Sequence, residues 1–447
     1  MNLYHMLKRR ADQGRPVRVG LIGAGKFGSM FLAQARTTAG LHVLGVADLQ
    51  PQRVREGMLG SGWAEEQLSA VDFRRALETG QTHISDDATG LIEADGLDVV
   101  VEATGHPQLG IHHARLCCQH GRHLVMVNVE ADVLAGPLLA REAEAAGLVY
   151  SLAYGDQPAL ICELIDWART SGLGIVAAGK GTKYLDEYRH STPDTVWDYY
   201  GLSAEQAATG GMNPKMFNSF LDGTKSAIEM AAVANATGLA VAPHGLTFPP
   251  CGVDDLATVL RPRELGGQLH TRGQVEVVSS LYRDGRPVDR DLRWGVFVVF
   301  EAPSDYAARC FSEYGMLTDS SGTISAMYKP FHLIGLELGI SVASVVLRNE
   351  PTGSASGFAA DVVAVAKRDL DVGDVLDGEG GYAVRGQLMP AGDSLSSGSL
   401  PIGLAQGVEL ARAVKAGERV GWNDVVIDAD NEAVRVRRVM QSECELL

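Results

Sequence analysis

The sequence has few cysteines, no long apolar run and no excess of positive charge, and each absence narrows what the protein can be. Six cysteines occur among 447 residues, and none stands in C-x-x-C spacing. We therefore expect neither a disulfide framework nor a cysteine zinc site, as is typical of a cytoplasmic protein. No segment approaches the roughly 18 uninterrupted apolar residues that a membrane span needs, so we predict no membrane partner.

Positive charge is scarce relative to negative charge. Asp and Glu number 55 and Lys and Arg 39, so the formal net charge is -16. Such a surface repels nucleic acid and anionic membranes, which we therefore exclude as partners. An anionic small molecule would instead have to be held by individually placed cations.

An apolar strand runs directly into a glycine turn near the start of the chain. Val17–Ile22 precedes Gly23-Ala-Gly-Lys-Phe-Gly28, and a strand, a glycine turn and a helix in this order are typical of a dinucleotide-binding site. The residues that we predict to bind cofactor here are Gly23, Gly25, Lys26, Phe27 and Gly28.

A second predicted strand, 41–47, ends in Asp48, where a carboxylate can bind the ribose hydroxyls of the cofactor. Asp48 favours NAD because it would repel a 2′-phosphate, whereas Arg53 could bind that phosphate. Further along, the strands 97–102 and 123–128 should place Glu102, Thr104, Gly105 and Asn128 on the nicotinamide side. Alternatively, Glu102 and Asn128 only cap neighbouring helices.

The order of strands and helices predicts an α/β protein in three parts. Residues 1–155 should form a doubly wound parallel sheet, 156–352 a central α+β catalytic and dimerisation domain, and 353–447 a small β-rich module. The module is indicated by short strand-like runs separated by turns, such as 362–376 and 420–427.

A polar, glycine-bearing segment with little periodicity covers 179–218, and we expect a long functional loop there. Its start concentrates cations and hydroxyls, which suits a phosphate or carboxylate ligand better than a merely solvated loop. The residues are Lys180, Lys183, Arg189, His190, Ser191 and Thr192.

Four polar residues, Asn218, Asp222, Lys225 and Glu229, follow at spacings of 4, 3 and 4. This spacing predicts one face of a single helix, either a wall of the active site or an exposed stripe of salt bridges. Asp222 and Glu229, together with Glu163 or Asp156, could also hold Mg²⁺ or Mn²⁺, although their spacing defines no complete metal site.

Several of these segments resemble known oxidoreductases. Gly23–Gly28, Glu102–Gly105 and Met126–Asp132 resemble the NAD(P)-binding domain of homoserine dehydrogenases. The chain as a whole is more similar to the deoxyxylulose-phosphate reductoisomerase-like oxidoreductases of bacteria, and the segment 368–376 resembles a SAF domain. The resemblance implies a homodimer that uses NADPH to convert 1-deoxy-D-xylulose 5-phosphate to 2-C-methyl-D-erythritol 4-phosphate, an isoprenoid precursor.

The chain departs from homoserine dehydrogenases at two places. Lys180-Gly-Thr-Lys-Tyr184 stands where they carry Asn-Gly-Thr-x-Asn-Tyr, and Lys225 and Glu229 stand where they carry an aspartate and a lysine. The added lysines fit a phosphorylated substrate better than homoserine.

These observations give a set of expected roles. Lys180, Lys183, Lys225, Glu229 and Asp222 are the catalytic candidates, with Lys225 and Glu229 as the proton-transfer pair. Arg189, His190, Ser191, Thr192 and Asn218 are expected to bind substrate. Two other functions stay open, a dehydrogenase for another sugar phosphate or a polyol-derived aldehyde, and an NAD(P)-binding redox sensor without turnover.

Overall fold

The structure, a computed structural model, describes residues 2–209 and 211–444. The chain divides into two compact units. The first comprises Met1–Leu160 with Leu333–Ala355, and the second Ile161–His332 with Ser356–Leu447. None of the helices in the described residues is long and apolar enough to cross a membrane.

The first unit is built on a six-stranded parallel sheet in the order β3-β2-β1-β4-β5-β6. Its strands are β1 (Val17–Ile22), β2 (Leu41–Ala47), β3 (His83–Ser85), β4 (Val99–Glu102), β5 (His123–Met126) and β6 (Tyr150–Leu152). The predicted doubly wound α/β fold is confirmed, because the order of the strands reverses at β1 and β4 as it does in dinucleotide-binding sheets.

The helices are numbered along the whole chain. They are α1 (Leu3–Asp12), α2 (Lys26–Ala35), α3 (Pro51–Gly60), α4 (Phe73–Thr79), α5 (Ala88–Glu93), α6 (Pro107–Gln119), α7 (Val129–Ala145), α8 (Gln157–Thr170), α9 (Val196–Tyr200), α10 (Ala204–Thr209), α11 (Pro214–Leu221), α12 (Thr224–Thr237), α13 (Leu256–Val259), α14 (Asp305–Glu313), α15 (Gly339–Arg348), α16 (Ala391–Ser397) and α17 (Glu432–Cys444).

One late segment belongs to the first unit, which differs from the predicted assignment of 156–352 to the central domain. Helix α15 and the residue before it bury Leu338, Val342 and Val345 in the same apolar cluster as Val19 and Val101 of the parallel sheet. Burial of this apolar face stabilises the unit, and the sequence could not reveal it because the partners lie more than 200 residues apart.

The second unit contains a four-stranded sheet in the order β10-β9-β7-β8. Its strands are β7 (Gly174–Thr182), β8 (Gln274–Ser279), β9 (Val296–Glu301) and β10 (Ile324–Lys329). Strands β7 and β8 are parallel, and the other pairs are antiparallel. The interior of this sheet is apolar, and Phe297 and Val299 lie in its core.

The last part of the chain forms small antiparallel sheets, as predicted. Their strands are β11 (Ala360–Ala366), β12 (Val375–Asp377), β13 (Val384–Pro390), β14 (Gln406–Leu410) and β15 (Val425–Val426). Strand β11 pairs with β13, and β14 lies between β12 and β15. Helix α12 packs against β8, β11 and β13, so this β-rich module and the central helix belong to the same unit.

Candidate functional site

The glycine turn between β1 and α2 has the geometry of a dinucleotide cradle. Gly23 has a φ of +89°, and a Cβ there would lie 2.7 Å from the carbonyl oxygen of Ala103. A Cβ on Gly28 would lie 2.5 Å from the carbonyl oxygen of Gly23. Helix α2 can therefore pack this closely on β1 only because Gly28 has no side chain. A Cβ on Gly25 would meet no heavy atom within 4 Å. The fold therefore requires the first and third glycines, while the second borders open space.

The start of α2 and the end of β2 supply the polar groups that this cradle needs. Helix α2 begins at Lys26 without a side-chain cap, so backbone N–H groups at its positive end are available to an anion. The Asp48 carboxylate accepts hydrogen bonds from the backbone N–H groups of Ala24 and Gln50, at 2.8 and 2.9 Å. Arg53 lies 3.7 Å from Asp48 and is 59% exposed, so it can still turn toward a ligand.

The predicted residues at the carboxyl ends of β4 and β5 form one network. The Thr104 hydroxyl donates to the buried Glu102 carboxylate at 2.5 Å, and His113 contacts the same oxygen at 3.3 Å. Asn128 accepts from the backbone N–H of Ala131 and so caps α7, which is the capping role considered for it above. Gly105 follows with a φ of +68° and open space around it.

Lys180 and Glu229 form a buried ion pair in the second unit. Lys180 lies near the end of β7, and Glu229 lies in the middle of α12. The Lys180 ammonium donates to the Glu229 carboxylate, and the two residues are only 3% and 1% exposed. Two hydrogen-bonded charges shielded from water are suited to holding and moving a proton.

The predicted long loop over 179–218 is wrong. Strand β7 continues through Lys180 to Thr182, and a 3₁₀ turn, Asp186–His190, and helices α9, α10 and α11 occupy the rest of this segment. The end of this strand, 179–182, was missed because glycine and lysine have low strand propensity. Close packing decides instead, since a Cβ on Gly179 would lie 1.7 Å from the carbonyl oxygen of Glu276.

The predicted single helix that carries Asn218, Asp222, Lys225 and Glu229 is also wrong. Helix α11 ends at Leu221, and Gly223 has a φ of +87°, which breaks the helical path. Asn218 therefore lies on α11 and Asp222 at its end, whereas Lys225 and Glu229 lie on α12.

Members of the two predicted clusters pair with each other rather than within each cluster. The Ser191 hydroxyl donates to the Asn218 side chain at 2.6 Å, and the Asn218 amide donates to the carbonyl oxygens of Ser191 and Gly380. Both side chains are buried and bonded within the protein, so this pair organises the site rather than offering free groups to a ligand.

The Asp222 carboxylate is paired with a lysine from the β-rich module. Lys367 Nζ lies 2.6 Å from Asp222 Oδ2 and donates to the carbonyl oxygens of Ser191 and Gly381 at 2.9 and 2.8 Å. Asp222 also accepts from the backbone N–H of Thr224 at the start of α12. Its charge is therefore balanced inside the protein.

Lys183 lies beside Arg293 and several aromatic rings. Its ammonium donates to the carbonyl oxygen of Tyr199 and lies 5.7 Å from the centre of the Tyr200 ring, and the Arg293 guanidinium lies 5.9 Å from the same centre. Burial, followed by the charge of Arg293, lowers the pKa of Lys183. In the part of the chain that the structure describes, neither cation has a carboxylate within ion-pair distance.

Arg189 lies at the edge of a second aromatic group. Its Nε donates to the Tyr184 hydroxyl at 2.6 Å, and the Tyr184 ring stacks on Phe248 with the ring centres 3.8 Å apart. Two other residues that were predicted to bind substrate, His190 and Thr192, lie outside this aromatic group. His190 is exposed, and the backbone N–H of Thr192 donates to the Thr195 hydroxyl in a local turn.

The metal site considered from the sequence gains no support. Glu229 pairs with Lys180 and Asp222 with Lys367, so each carboxylate already has a buried cation. Within residues 2–209 and 211–444, no three His, Cys, Asp or Glu side chains are grouped as a metal ion would require.

Sequence reasoning missed four residues of this region, Tyr184, Arg293, Lys367 and Arg385. No motif connects them, because the last three are separated from the 180–229 segment by 60 residues or more. Only the sheet pairing and the packing of α12 bring them to it. A weak signal existed for Tyr184, which directly follows Lys183 in the segment singled out for its cations.

Two parts of the chain match models of known protein families. Residues 155–338 match the family model described as oxidoreductase DRL, catalytic domain, and residues 361–426 match the SAF domain. The central part of the chain is therefore similar to an oxidoreductase catalytic domain, and the predicted SAF-like module is confirmed. Neither match names a substrate. No curated protein matches the chain.

Two solved structures illustrate more distant likenesses. Scyllo-inositol dehydrogenase from Lactobacillus casei, solved with NAD(H) and scyllo-inositol, is 11% identical over 76% of this chain and 92% of its own, with a TM-score of 0.37. Dihydrodipicolinate reductase from Paenisporosarcina sp. TG-14, solved with dipicolinate, is 12% identical over 74% of this chain and 95% of its own, with a TM-score of 0.34. We draw no argument about activity from likenesses of this size.

Proposed function

We propose that the protein is an NADPH-dependent oxidoreductase that acts on a phosphorylated sugar, converting 1-deoxy-D-xylulose 5-phosphate to 2-C-methyl-D-erythritol 4-phosphate. The observation that carries the proposal is the buried Lys180–Glu229 pair within the segment that matches an oxidoreductase catalytic domain. When bound, the nicotinamide cofactor supplies the hydride of such a reaction.

The first unit supports the cofactor part of the proposal. Open space at Gly25 lets the backbone approach a pyrophosphate, and the uncapped start of α2 presents N–H groups to it. Asp48 would bind ribose hydroxyls, and Arg53 would pair with the 2′-phosphate that distinguishes NADP from NAD. The residues present therefore fit a dinucleotide.

The Lys180–Glu229 pair supports the proton-transfer part. Rearrangement of a sugar skeleton followed by reduction requires one group that takes a hydroxyl proton and one that gives a proton to a carbonyl oxygen. Lys180 can give a proton and Glu229 can accept one, and their burial keeps water from competing. This assignment replaces the Lys225–Glu229 pair expected from the sequence, since the buried partner of Glu229 is Lys180.

The cations of the second unit support a phosphorylated substrate. Lys183 and Arg293 lie together without a carboxylate in ion-pair distance among the described residues, although the chain as a whole is acidic. Uncompensated cations that are partly shielded from water favour an anionic ligand. A neutral polyol has no negative charge with which Lys183 and Arg293 could form an ion pair.

The test is the oxidation of NADPH and NADH at 340 nm by the whole chain with 1-deoxy-D-xylulose 5-phosphate, with and without Mg²⁺ or Mn²⁺. The proposal predicts that NADPH is consumed only when the sugar phosphate is present. Turnover with another sugar phosphate or with a polyol-derived aldehyde would show that the proposed substrate is wrong and that the proposed oxidoreductase activity is right. Tight cofactor binding without turnover of any carbonyl compound would favour a redox sensor.

We also propose that the protein forms a homodimer through an aromatic surface of the second unit. Trp294, Tyr328 and Phe331 are 61, 37 and 49% exposed, and Tyr328 lies on the edge strand β10. Exposed aromatic side chains are typical of interfaces. Light scattering after gel filtration should give twice the chain mass, and Trp294→Ser with Phe331→Ser should give the mass of one chain.

A further inference from the structure

The β-rich module contributes two cations, Lys367 and Arg385, to the region at the start of α12, and only Lys367 is paired there. Lys367 is fully used, because it contacts Asp222 and donates to the carbonyl oxygens of Ser191 and Gly381. Arg385 lies on β13 next to Gly386, whose backbone N–H donates to the Thr224 hydroxyl at 2.8 Å.

The Arg385 guanidinium has no hydrogen bond or ion pair to any residue in the described ranges, 2–209 and 211–444. Burial, followed by the charge of Arg189, lowers the pKa of Arg385, whereas Tyr184 and Asp222 act in the opposite direction. A partly buried cation without a partner also costs free energy. The carboxylate that could have paired with it, Asp222, is held by Lys367.

Arg189 and Tyr184 extend this unpaired charge into a group of donors. The Tyr184 hydroxyl accepts from Arg189 Nε at 2.6 Å, so its own proton is free to point at a ligand. Arg189 also contacts Asp186 at 3.4 Å, but the two side chains are 41 and 63% exposed, and an ion pair this open to solvent contributes little to stability.

The start of α12 lies beside this group of donors. Helix α12 runs from Thr224 to Thr237 with Gly223 as its N-cap, and the backbone N–H of Thr224 donates to the Asp222 carboxylate at 2.9 Å. A Cβ on Gly223 would lie 3.6 Å from the Tyr184 ring, so the helix start and the tyrosine are neighbours. Two guanidinium groups and a phenol hydroxyl together match the oxygens of a phosphate.

We propose that Arg385 of the SAF module and Arg189 of the central segment jointly bind the phosphate group of the substrate, so that the SAF module completes the substrate site. The proposal rests on the proposed function for the sugar-phosphate substrate. It assigns to the module a role in binding, in addition to its packing against α12.

The test measures binding, and not turnover, with inorganic phosphate and ribose 5-phosphate titrated into the whole chain by calorimetry. The variants are Arg385→Gln and, as a second and more exposed position, Arg189→Gln. Arg412→Gln is the matched control, since Arg412 is an exposed arginine of the same module. Thermal melting and NADPH binding verify that each variant is folded.

We expect both Arg385→Gln and Arg189→Gln to weaken ribose 5-phosphate binding by about tenfold or more, as the loss of a charge-assisted hydrogen bond does, and Arg412→Gln to leave it unchanged. If Arg385→Gln does not fold, Arg189→Gln decides the outcome. Unchanged affinity in the folded Arg385 or Arg189 variant would overturn the assignment, even if the enzyme reduces the sugar phosphate. A wild-type chain that binds neither phosphate nor ribose 5-phosphate would also overturn it. If that chain still reduced a neutral carbonyl compound with NADPH, the oxidoreductase function would stand and the phosphate site would be wrong.

Discussion

The Lys180 ammonium donates to the Glu229 carboxylate where both side chains are shielded from water, one at the end of β7 and the other in the middle of α12. A purely structural role could be filled at lower cost by two apolar side chains, because burying two charges carries a large desolvation penalty. The pair is therefore suited to proton transfer.

Replacing Lys180 should abolish most of the turnover. We expect Lys180→Met to lower kcat by roughly 10²–10⁴-fold, the contribution of a general acid or base, with little change in the dissociation constant of NADPH. Steady-state kinetics and fluorescence titration of NADPH measure the two quantities. A decrease of less than about tenfold in kcat would remove Lys180 from the proton-transfer step.

Stability separates the chemical role from the structural one. Lys180→Met alone leaves Glu229 as a buried unpaired charge and should destabilise the protein by about 3–5 kcal/mol. The double variant Lys180→Met with Glu229→Leu should regain much of this stability and remain inactive. If the double variant regained activity as well as stability, the pair would be structural only.

The second glycine of the cradle should matter for cofactor and not for the fold. Gly25 has a φ of −65°, and a Cβ there would meet no heavy atom within 4 Å, so alanine fits without strain. We expect Gly25→Ala to raise the dissociation constant of NADPH by about tenfold or more, because the Cβ takes the space of the pyrophosphate, and to leave the melting temperature nearly unchanged.

Gly57 provides the control for this substitution. It lies in α3, and a Cβ there would also meet nothing within 4 Å, so Gly57→Ala should keep NADPH affinity and slightly raise stability. Equal NADPH affinity in the Gly25 and Gly57 variants would argue against a pyrophosphate at the turn.

Arg53 should determine the preference for NADP over NAD. Its side chain is 59% exposed and only loosely paired with Asp48 at 3.7 Å, whereas Arg55 is held by Glu65 and by the carbonyl oxygen of Leu68. We predict that Arg53→Ala weakens NADPH binding by about tenfold and leaves NADH binding unchanged. An equal effect on both cofactors, or on neither, would show that Arg53 does not contact the 2′-phosphate.

Asp132 should make the stability of the first unit depend on pH. Burial raises the pKa of its carboxyl to about 7, while the hydrogen bond from the Tyr150 hydroxyl acts in the opposite direction. In the unfolded chain this pKa is about 3.9, so between about pH 4 and 7 the folded state binds more protons than the unfolded state. The contribution of Asp132 to stability is therefore greatest below pH 4 and falls as the pH rises toward 7.

Asp132→Asn removes this titration. As the pH rises from about 4.5 to about 7.5, the melting temperature of Asp132→Asn should increase relative to that of the wild type. Differential scanning fluorimetry measures this difference. A difference that stays constant over this range would mean that Asp132 does not change its protonation there.

The sequence predicts the first unit well and the second unit less well, for physical reasons. The glycine turn and Asp48 are local, since every residue of the cradle except Ala103 lies within the continuous segment from β1 through the turn and α2 to the end of β2. Lys180 and Glu229 were each predicted as site residues, but their pairing was not, because they lie 49 positions apart and only the packing of α12 on the sheet joins them. Arg385 carried no signal, because an isolated arginine in a strand is ordinary until its lack of a partner is known.

The most direct test of the account is the identity of the carbon skeleton formed from 1-deoxy-D-xylulose 5-phosphate and NADPH, read by ¹³C NMR of the product with the wild-type chain and with Lys180→Met. We predict the branched 2-C-methyl-D-erythritol 4-phosphate from the wild type, formed together with an equal amount of NADP⁺, and almost none from the variant. An unbranched pentitol phosphate, or an unchanged substrate in the presence of bound NADPH, would contradict the account.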